Sequence, residues 1–315
     1  MKPNIAILGA NSHIAKGLIL NFLKKNNYSL NLYSTAPDNA RNFLQSIDRD
    51  CRIFDGYSSF LQNKHDVLIN CIGVGSAPKL KGNYCKYFTV TETFDNLALE
   101  YIFKWSNALY VSLSSGAVYG KLYSSPAKEE SVNCIKVNKI SADEYYSIAR
   151  LNSETKHRSF NDYKIVDLRI FSYFSRYMDV EDRYFINELI EFLGNKRTFF
   201  TSSHNIIRDY IHPEDLFCLI DKCIHVNKIN AAYDAISAKP VDKMTILEYF
   251  SSIYGLKYEF VSELPNSSAT GMKNIYCSSY NAASEVGYSP QYTSLETIQM
   301  ESEYLVRKED NEPKT

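Results

Sequence analysis

The chain has 315 residues, with 35 basic and 36 acidic side chains and 45% apolar residues. That balance excludes a broad electrostatic surface for nucleic acid, and the length supplies a full core with a second, smaller lobe. Seven cysteines with no C-x-x-C pair point to reduced thiols, no apolar run is long enough to span a bilayer, and the N-terminus opens on a strand pattern rather than a signal peptide; a cytoplasmic protein that meets no membrane is expected.

Ile5 to Leu8 run unbroken into Gly9, as in a strand buried on both faces, and Ile14, Leu18 and Phe22 then recur every fourth residue. Strand, tight turn and helix form the first half of a nucleotide-binding βαβ unit, which brings backbone N–H groups and the positive helix end to a pyrophosphate. The glycine positions of such a turn read Gly9, Ser12 and Ala15. Ala15 still permits close helix–strand packing, whereas Ser12 puts a side chain where backbone should approach phosphate.

Tyr28 to Tyr33 alternates as a second strand, followed by a helix from Ala36 to Ile47. An acid at the end of that strand would hold the ribose 2′-OH and repel a 2′-phosphate. Here the chain reads Tyr33-Ser34-Thr35 with no carboxylate before Asp38, and Ser34, Thr35 and Arg41 point to NADP(H), with NAD the alternative. Arg52 to Asp55 is the third strand, where Asp55 is placed either to meet an adenine amino group or to stay a solvated loop aspartate. Asp66 to Gly75 is a fourth strand with a glycine-bearing exit, so that Gly73 would lie against a cofactor's ribose and phosphate.

Tyr84–Trp105 reads as a long helix, Leu109–Leu113 as the fifth strand, Ser141–Phe160 as a helix and Lys164–Ile170 as the sixth strand. This alternation predicts an α/β fold, a Rossmann-like doubly wound parallel sheet. Residues 1–170 would bind the dinucleotide, with 206–228 returning to that domain, and 171–315 would form a smaller α/β substrate-binding lobe over the carboxyl ends of the strands. A frayed tail is expected from Arg307 to Thr315. The high tyrosine and phenylalanine content is assigned to packing. The six histidines are scattered, so no metal is predicted; Lys156-His157-Arg158 reads as a solvated helix face.

Further segments carry chemistry. Leu113-Ser114-Ser115-Gly116-Ala117-Val118-Tyr119-Gly120 places hydroxyls at the end of the fifth strand. In Tyr145-Tyr146-Ser147-Ile148-Ala149-Arg150, Tyr146 precedes a cation by four residues and shares a helix face with it. Ile207 to Leu216 reads R-D-Y-I-H-P-E-D between its ends, and Tyr280 to Pro290 closes on Gly287-Tyr288-Ser289-Pro290. With the N-terminal turn, these segments resemble the extended short-chain dehydrogenase/reductase family, the nucleotide-sugar epimerases, dehydratases and ketoreductases of the NAD-dependent epimerase/dehydratase group. The resemblance extends over nearly the whole chain.

The resemblance implies catalytic roles for Ser115, Tyr146 and Arg150. Tyr146 would exchange a proton as a substrate C–OH and C=O interconvert, Ser115 (with Ser114 as second candidate) would hydrogen-bond that oxygen, and a nicotinamide would carry the hydride. Cofactor contacts would come from Gly9, Asn11, Ser12, His13, Ile14, Ser34, Thr35, Asp55, Gly73, Tyr146 and Arg150, and substrate contacts from Ser76, Ser114, Ser115 and Arg208. Arg208 would meet the diphosphate of a nucleotide sugar, and His212 within the same motif would be structural or stand behind the site.

Two departures matter. Arg150 stands where the family has a lysine; it keeps the charge but does not give up its proton. Thr91 stands where relatives carry an asparagine. Gly116 and Ala117 cannot do the work of the acidic pair of 4,6-dehydratases, which argues against dehydration. An NADP(H)-dependent reductase of a 4-keto nucleotide sugar is the first reading. An NAD-dependent epimerase and a catalytically degenerate nucleotide-binding relative are the alternatives. Family resemblance further implies a homodimer built on the helices at 84–105 and 141–160.

Overall fold

The computed structural model describes residues 2–74, 80–120, 124–178, 184–262 and 274–311, with side chains as far as Val306. In chain order the first part contains β1 (Asn4–Leu8), α1 (His13–Lys25), β2 (Ser29–Ser34), α2 (Pro37–Ser46), β3 (Arg52–Asp55), β4 (Val67–Asn70), α3 (Lys86–Lys104), β5 (Leu109–Ser115), α4 (Ala142–Ser159) and β6 (Lys164–Ile170). There follow β7 (Ser172–Tyr173), α5 (Phe185–Gly194), β8 (Phe199–Thr201), β9 (Ile207–Arg208), β10 (Tyr210–Ile211), α6 (Pro213–Ile224) and β11 (Asn230–Ala235). The chain ends with β12 (Val241–Asp242), α7 (Lys243–Tyr254), β13 (Tyr258–Phe260), β14 (Ile275–Tyr276) and α8 (Ser294–Asn311).

Successive residues of a strand face opposite sides, and β1 is apolar from Ile5 to Leu8 because both sides are covered there. Ile5 and Ile7 join Leu18, Phe22, Phe43 and Leu216 beneath α1, α2 and α6. Ala6 and Leu8 join Ala98, Leu99 and Ile102 beneath α3, against which α4 packs. The central sheet has seven strands in the order β11-β6-β5-β4-β1-β2-β3, all parallel. The strand order reverses at β1, between β2 and β4, and a crevice opens there over the carboxyl ends. The α/β doubly wound reading is therefore the observed fold.

Segment 171–315 does not form one continuous body. Strand β11 pairs with β6 at the sheet edge, and α6 packs on α1, so 213–235 lies with the N-terminal sheet. Ala283 and Tyr288 join the same N-terminal core, and the rest includes a small lobe whose core contains Phe174, Leu189, Phe199, Leu247, Phe250 and Ile298. Its β7 docks on α1 at Gly17, where an added Cβ would collide with the Tyr173 hydroxyl.

Three local expectations are corrected. Strand β4 ends at Asn70, because the Asn70 side chain turns back to accept from Ile72 N–H at 3.1 Å and ends the ladder. Backbone from Arg307 to Asn311 continues α8 as helix instead of fraying. The run Lys156-His157-Arg158 is not a solvated face. His157 is fully enclosed between α3 and β6, with Nε2 2.6 Å from Asp95 and Nδ1 2.9 Å from Asp167.

Candidate functional site

The site begins at the turn between β1 and α1. Gly9 has φ +75°, and an added Cβ would lie 2.7 Å from Ile72 Cγ1, so both conformation and space demand glycine. The N–H groups of Gly9 and Ala10 donate to Tyr33 O, tying the turn to the end of β2. Ser12 is the N-cap of α1: its Oγ accepts from Ala15 N–H at 3.3 Å. A side chain at this position is thus turned into the helix start, where it satisfies one of the unpaired amides. Asn11 Nδ2 donates to Ser34 Oγ at 2.7 Å and to Ala36 O at 2.8 Å, bracing the second strand's exit. His13 stands edge-on to Tyr173 with ring centroids 4.9 Å apart, and Ile14 is half-buried on the same turn of helix.

At the end of β2, Ser34 is buried, and its oxygen accepts from both Asn11 and the Ala36 N–H. Thr35 is exposed, Arg41 pairs with Asp38 on the outside of α2, and Asp55 ends β3 in the open. Beside them lies a cavity of about 630 Å³ whose walls include Asn11, Lys16, Asn39, Asn42, Arg176 and Tyr304. Arg176 is matched by Glu301, whereas Lys16 has no carboxylate partner among the described residues and lies 5.7 Å from the Phe43 ring.

The residues at the end of β5 diverge, as neighbours on a strand must. Ser114 donates to Glu154 Oε1 at 2.6 Å, away from the crevice. Ser115 faces the other way: its Oγ is 3.1 Å from Tyr276 Oη and accepts from Ala117 N–H at 3.2 Å. On α4, Tyr146 and Arg150 are stacked one turn apart with the guanidinium 5.3 Å from the phenol ring centroid. Tyr87 packs on the same phenol at 5.2 Å. Arg150 is buried, and Nη1 donates to Leu113 O at 3.2 Å. Its Nη2 lies over the exposed backbone of Gly73, while Nε is buried with no acceptor among the described residues. Tyr146 and Ser115 share no hydrogen bond among the described residues; the Ser115 hydroxyl meets that of Tyr276 instead.

Arg208 is buried on β9, opposite Tyr276 of β14 in the ladder, with its guanidinium 6.0 Å from that ring. The acids of its motif hold the backbone together. Asp209 accepts from Ser237 N–H, and Asp215 accepts from Gln291 and Tyr292 N–H. His212 caps α6 through Nδ1, a structural role. Thr91 is buried within α3. Ser76 and Gly75 lie outside the described residues.

Two buried ionic assemblies support the site and carry no sequence signal of their own. Glu154 holds Ser114 and forms a forked pair with Arg169, which in turn donates to Tyr119 and Asp234. Burial pushes the Glu154 carboxyl up, against the pull of Arg169. One turn further along α4, His157 sits between Asp95 and Asp167, themselves paired with Lys156 and Arg158. Burial alone would push its imidazole down, but Asp167 and Asp95 together raise it to about 9. Among the described residues no cluster of three or more His, Cys, Asp or Glu could hold a metal, and no helix is long and apolar enough to cross a membrane.

A model of the NAD dependent epimerase/dehydratase family matches residues 5–235. Among solved structures, the UDP-glucose 4-epimerase of Thermotoga maritima with UDP-glucose superposes with TM-score 0.80 at 15% identity, covering 97% of this chain and 99% of that one. The UDP-glucuronic acid 4-epimerase of Bacillus cereus, in complex with UDP-glucuronic acid and NAD, gives 0.79 at 16% identity over 97% and 99%. The dTDP-glucose 4,6-dehydratase of Bacillus anthracis with NAD gives 0.76 at 15% identity over 98% of each chain. These likenesses establish the fold. A comparison with curated protein sequences returns no match.

Proposed function

The chain belongs to the NAD dependent epimerase/dehydratase family, and we propose that it is an NADP(H)-dependent reductase of a 4-keto nucleotide sugar. The observation that carries the reading is the Tyr146–Arg150 pair on one face of α4, its guanidinium buried and anchored on Leu113 O beside the strand that ends in Ser115.

The residues present fit a nicotinamide nucleotide. Gly9 leaves room at the helix start, Gly73 is bare at the exit of β4, and the buried Arg150 Nε–H has no acceptor among the described residues and could meet one of the kind a ribose hydroxyl offers. The bound cofactor would supply the hydride to the carbonyl carbon. Tyr146 would give its hydroxyl proton to the carbonyl oxygen as C=O becomes C–OH. Arg150, fixed in charge, would favour the phenolate left behind, and Ser115 would donate a hydrogen bond to the same oxygen. Arg208 is the cation assigned to the substrate diphosphate.

Support for NADP(H) comes from the absence of an acid in Ser34-Thr35 and from Lys16 in the adjoining cavity, which has no carboxylate partner among the described residues. Against dehydration, Gly116 and Ala117 carry no acid, and a Cβ on Gly116 would collide with the Phe171 ring. The same reading includes a homodimer through α3 and α4 and a cytosolic location, in keeping with seven unpaired cysteines.

The second reading is an NAD-dependent epimerase, favoured by epimerases of like fold whose complexes hold UDP-sugars or NAD. Purified protein given NADPH and a 4-keto-6-deoxy nucleotide sugar should consume NADPH as the alcohol forms. Protein that retains NAD through purification and interconverts two sugars without net redox is an epimerase. Protein that binds nucleotide and does neither is a degenerate relative.

A further inference from the structure

We infer that Tyr276, delivered from the C-terminal lobe, is a positioning residue whose hydroxyl donates to Ser115 and thereby aims the Ser115 proton at the substrate oxygen. The inference rests on the proposed role of Ser115 as a donor to the reacting oxygen and adds to it the group that decides where the serine proton points.

A serine hydroxyl has one proton, two lone pairs and a free rotor, so it donates in a fixed direction only when its neighbours leave it one. The Ser115 oxygen accepts from Ala117 N–H at 3.2 Å and lies 3.1 Å from Tyr276 Oη. When Tyr276 donates, both lone pairs are filled and the remaining Ser115 O–H points into the crevice. When Ser115 donates to Tyr276, the proton is spent inside the protein and the substrate oxygen meets a lone pair.

Only the first arrangement leaves the Ser115 proton for the substrate oxygen, and it is the one we assign. At neutral pH the Tyr276 phenol carries the one proton that this bond needs, and burial raises its pKa further. The ring is held on both sides, edge-on to Phe171 at 5.2 Å and under the Arg208 guanidinium at 6.0 Å. Its backbone is registered against Arg208, and the neighbouring Cys277 carbonyl accepts from Ala127 N–H. A side chain fixed in this way holds its hydroxyl at one place, as orientation of a rotor requires.

The test is a double-mutant cycle on the full-length protein with NADPH and the 4-keto nucleotide sugar. Tyr276→Phe, which keeps the ring, should lower kcat about tenfold, the loss of one aligned hydrogen bond. KM and the NADPH Kd from fluorescence titration should change less than about twofold. Ser115→Ala should cost more, and the double variant no more than Ser115→Ala alone, because Tyr276 acts only through that hydroxyl. Ser115→Thr, which restores a hydroxyl, should restore dependence on Tyr276. Additive losses would mean that Tyr276 touches substrate itself, and an unchanged kcat in Tyr276→Phe would leave it a packing residue; either overturns the inference. A weakened NADPH Kd in Tyr276→Phe also overturns it, as damage to the scaffold. If Ser115→Ala is itself without effect, the proposed function fails first and this inference falls with it.

Discussion

Arg150 and Gly73 are matched across the crevice: a β-carbon on Gly73 would lie 2.7 Å from Arg150 Nη2. The fork reaches Leu113 O because the exit of β4 carries no side chain. Gly73→Ala should therefore move the end of Arg150, a flexible group, at little cost in stability. Its kcat/KM should fall about tenfold while Tm changes by less than about 2 °C. The shorter Arg150→Lys, combined with Gly73→Ala, should regain part of the loss. A Gly73→Ala enzyme with full activity would separate Arg150 from catalysis.

Tyr146 lies between the Arg150 guanidinium and the Tyr87 ring. Replacing it with phenylalanine keeps both contacts and removes the exchangeable proton. Turnover should drop by about 10²–10⁴-fold, the usual contribution of a positioned acid, with the NADPH Kd unaltered. Retained turnover would assign the proton to another group.

His157 makes stability depend on pH. Its imidazole is raised from the ordinary 6.5 to about 9 in the folded chain. A group raised on folding stabilises fully below its unfolded pKa and loses that contribution as pH climbs through the folded value. Chemical denaturation should show about 3 kcal/mol lost between pH 6.5 and 9.5. His157→Asn, which leaves Asp95 and Asp167 with a neutral partner, should cost about 3–5 kcal/mol and flatten that slope. A flat profile in the unmutated protein would mean that the imidazole is neutral in its place.

Lys16 lines the cavity beside α2 and has no carboxylate partner among the described residues. If a 2′-phosphate lies within its reach, Lys16→Ala should raise the NADPH Kd about tenfold and leave the NADH Kd within twofold. Equal loss for both cofactors would point to a general effect on the turn.

The central sheet was legible because strands covered on both faces are rich in apolar residues, unbroken in Ile5–Leu8 and interrupted in Lys164–Ile170 only by Lys164 and the internally paired Asp167 and Arg169, and because helices between them repeat every third or fourth residue. Strand β11 escaped detection: in Asn230–Ala235 the short apolar run Ala231-Ala232-Tyr233 is broken by Asp234, which there answers Arg169 rather than solvent. His157 looked solvated because its two partners are supplied by a helix 62 residues earlier and a strand 10 residues later. Tyr276 lies 161 residues from Ser115, on a two-residue strand too short to show a period. Ser12 was visible as a departure from glycine, whereas its use as a helix cap depends on a side-chain rotamer that spacing does not encode.

The sheet's edge has a consequence for how the protein is made. A ribosome releases β6 some sixty residues before β11, which closes it, and in that interval one flank of the growing sheet offers bare N–H and C=O groups to any passing strand. Nascent chains that stall in this window are the ones that should need a chaperone or pair with a second copy, and truncation just after residue 170 should yield an insoluble fragment rather than an isolated nucleotide-binding unit.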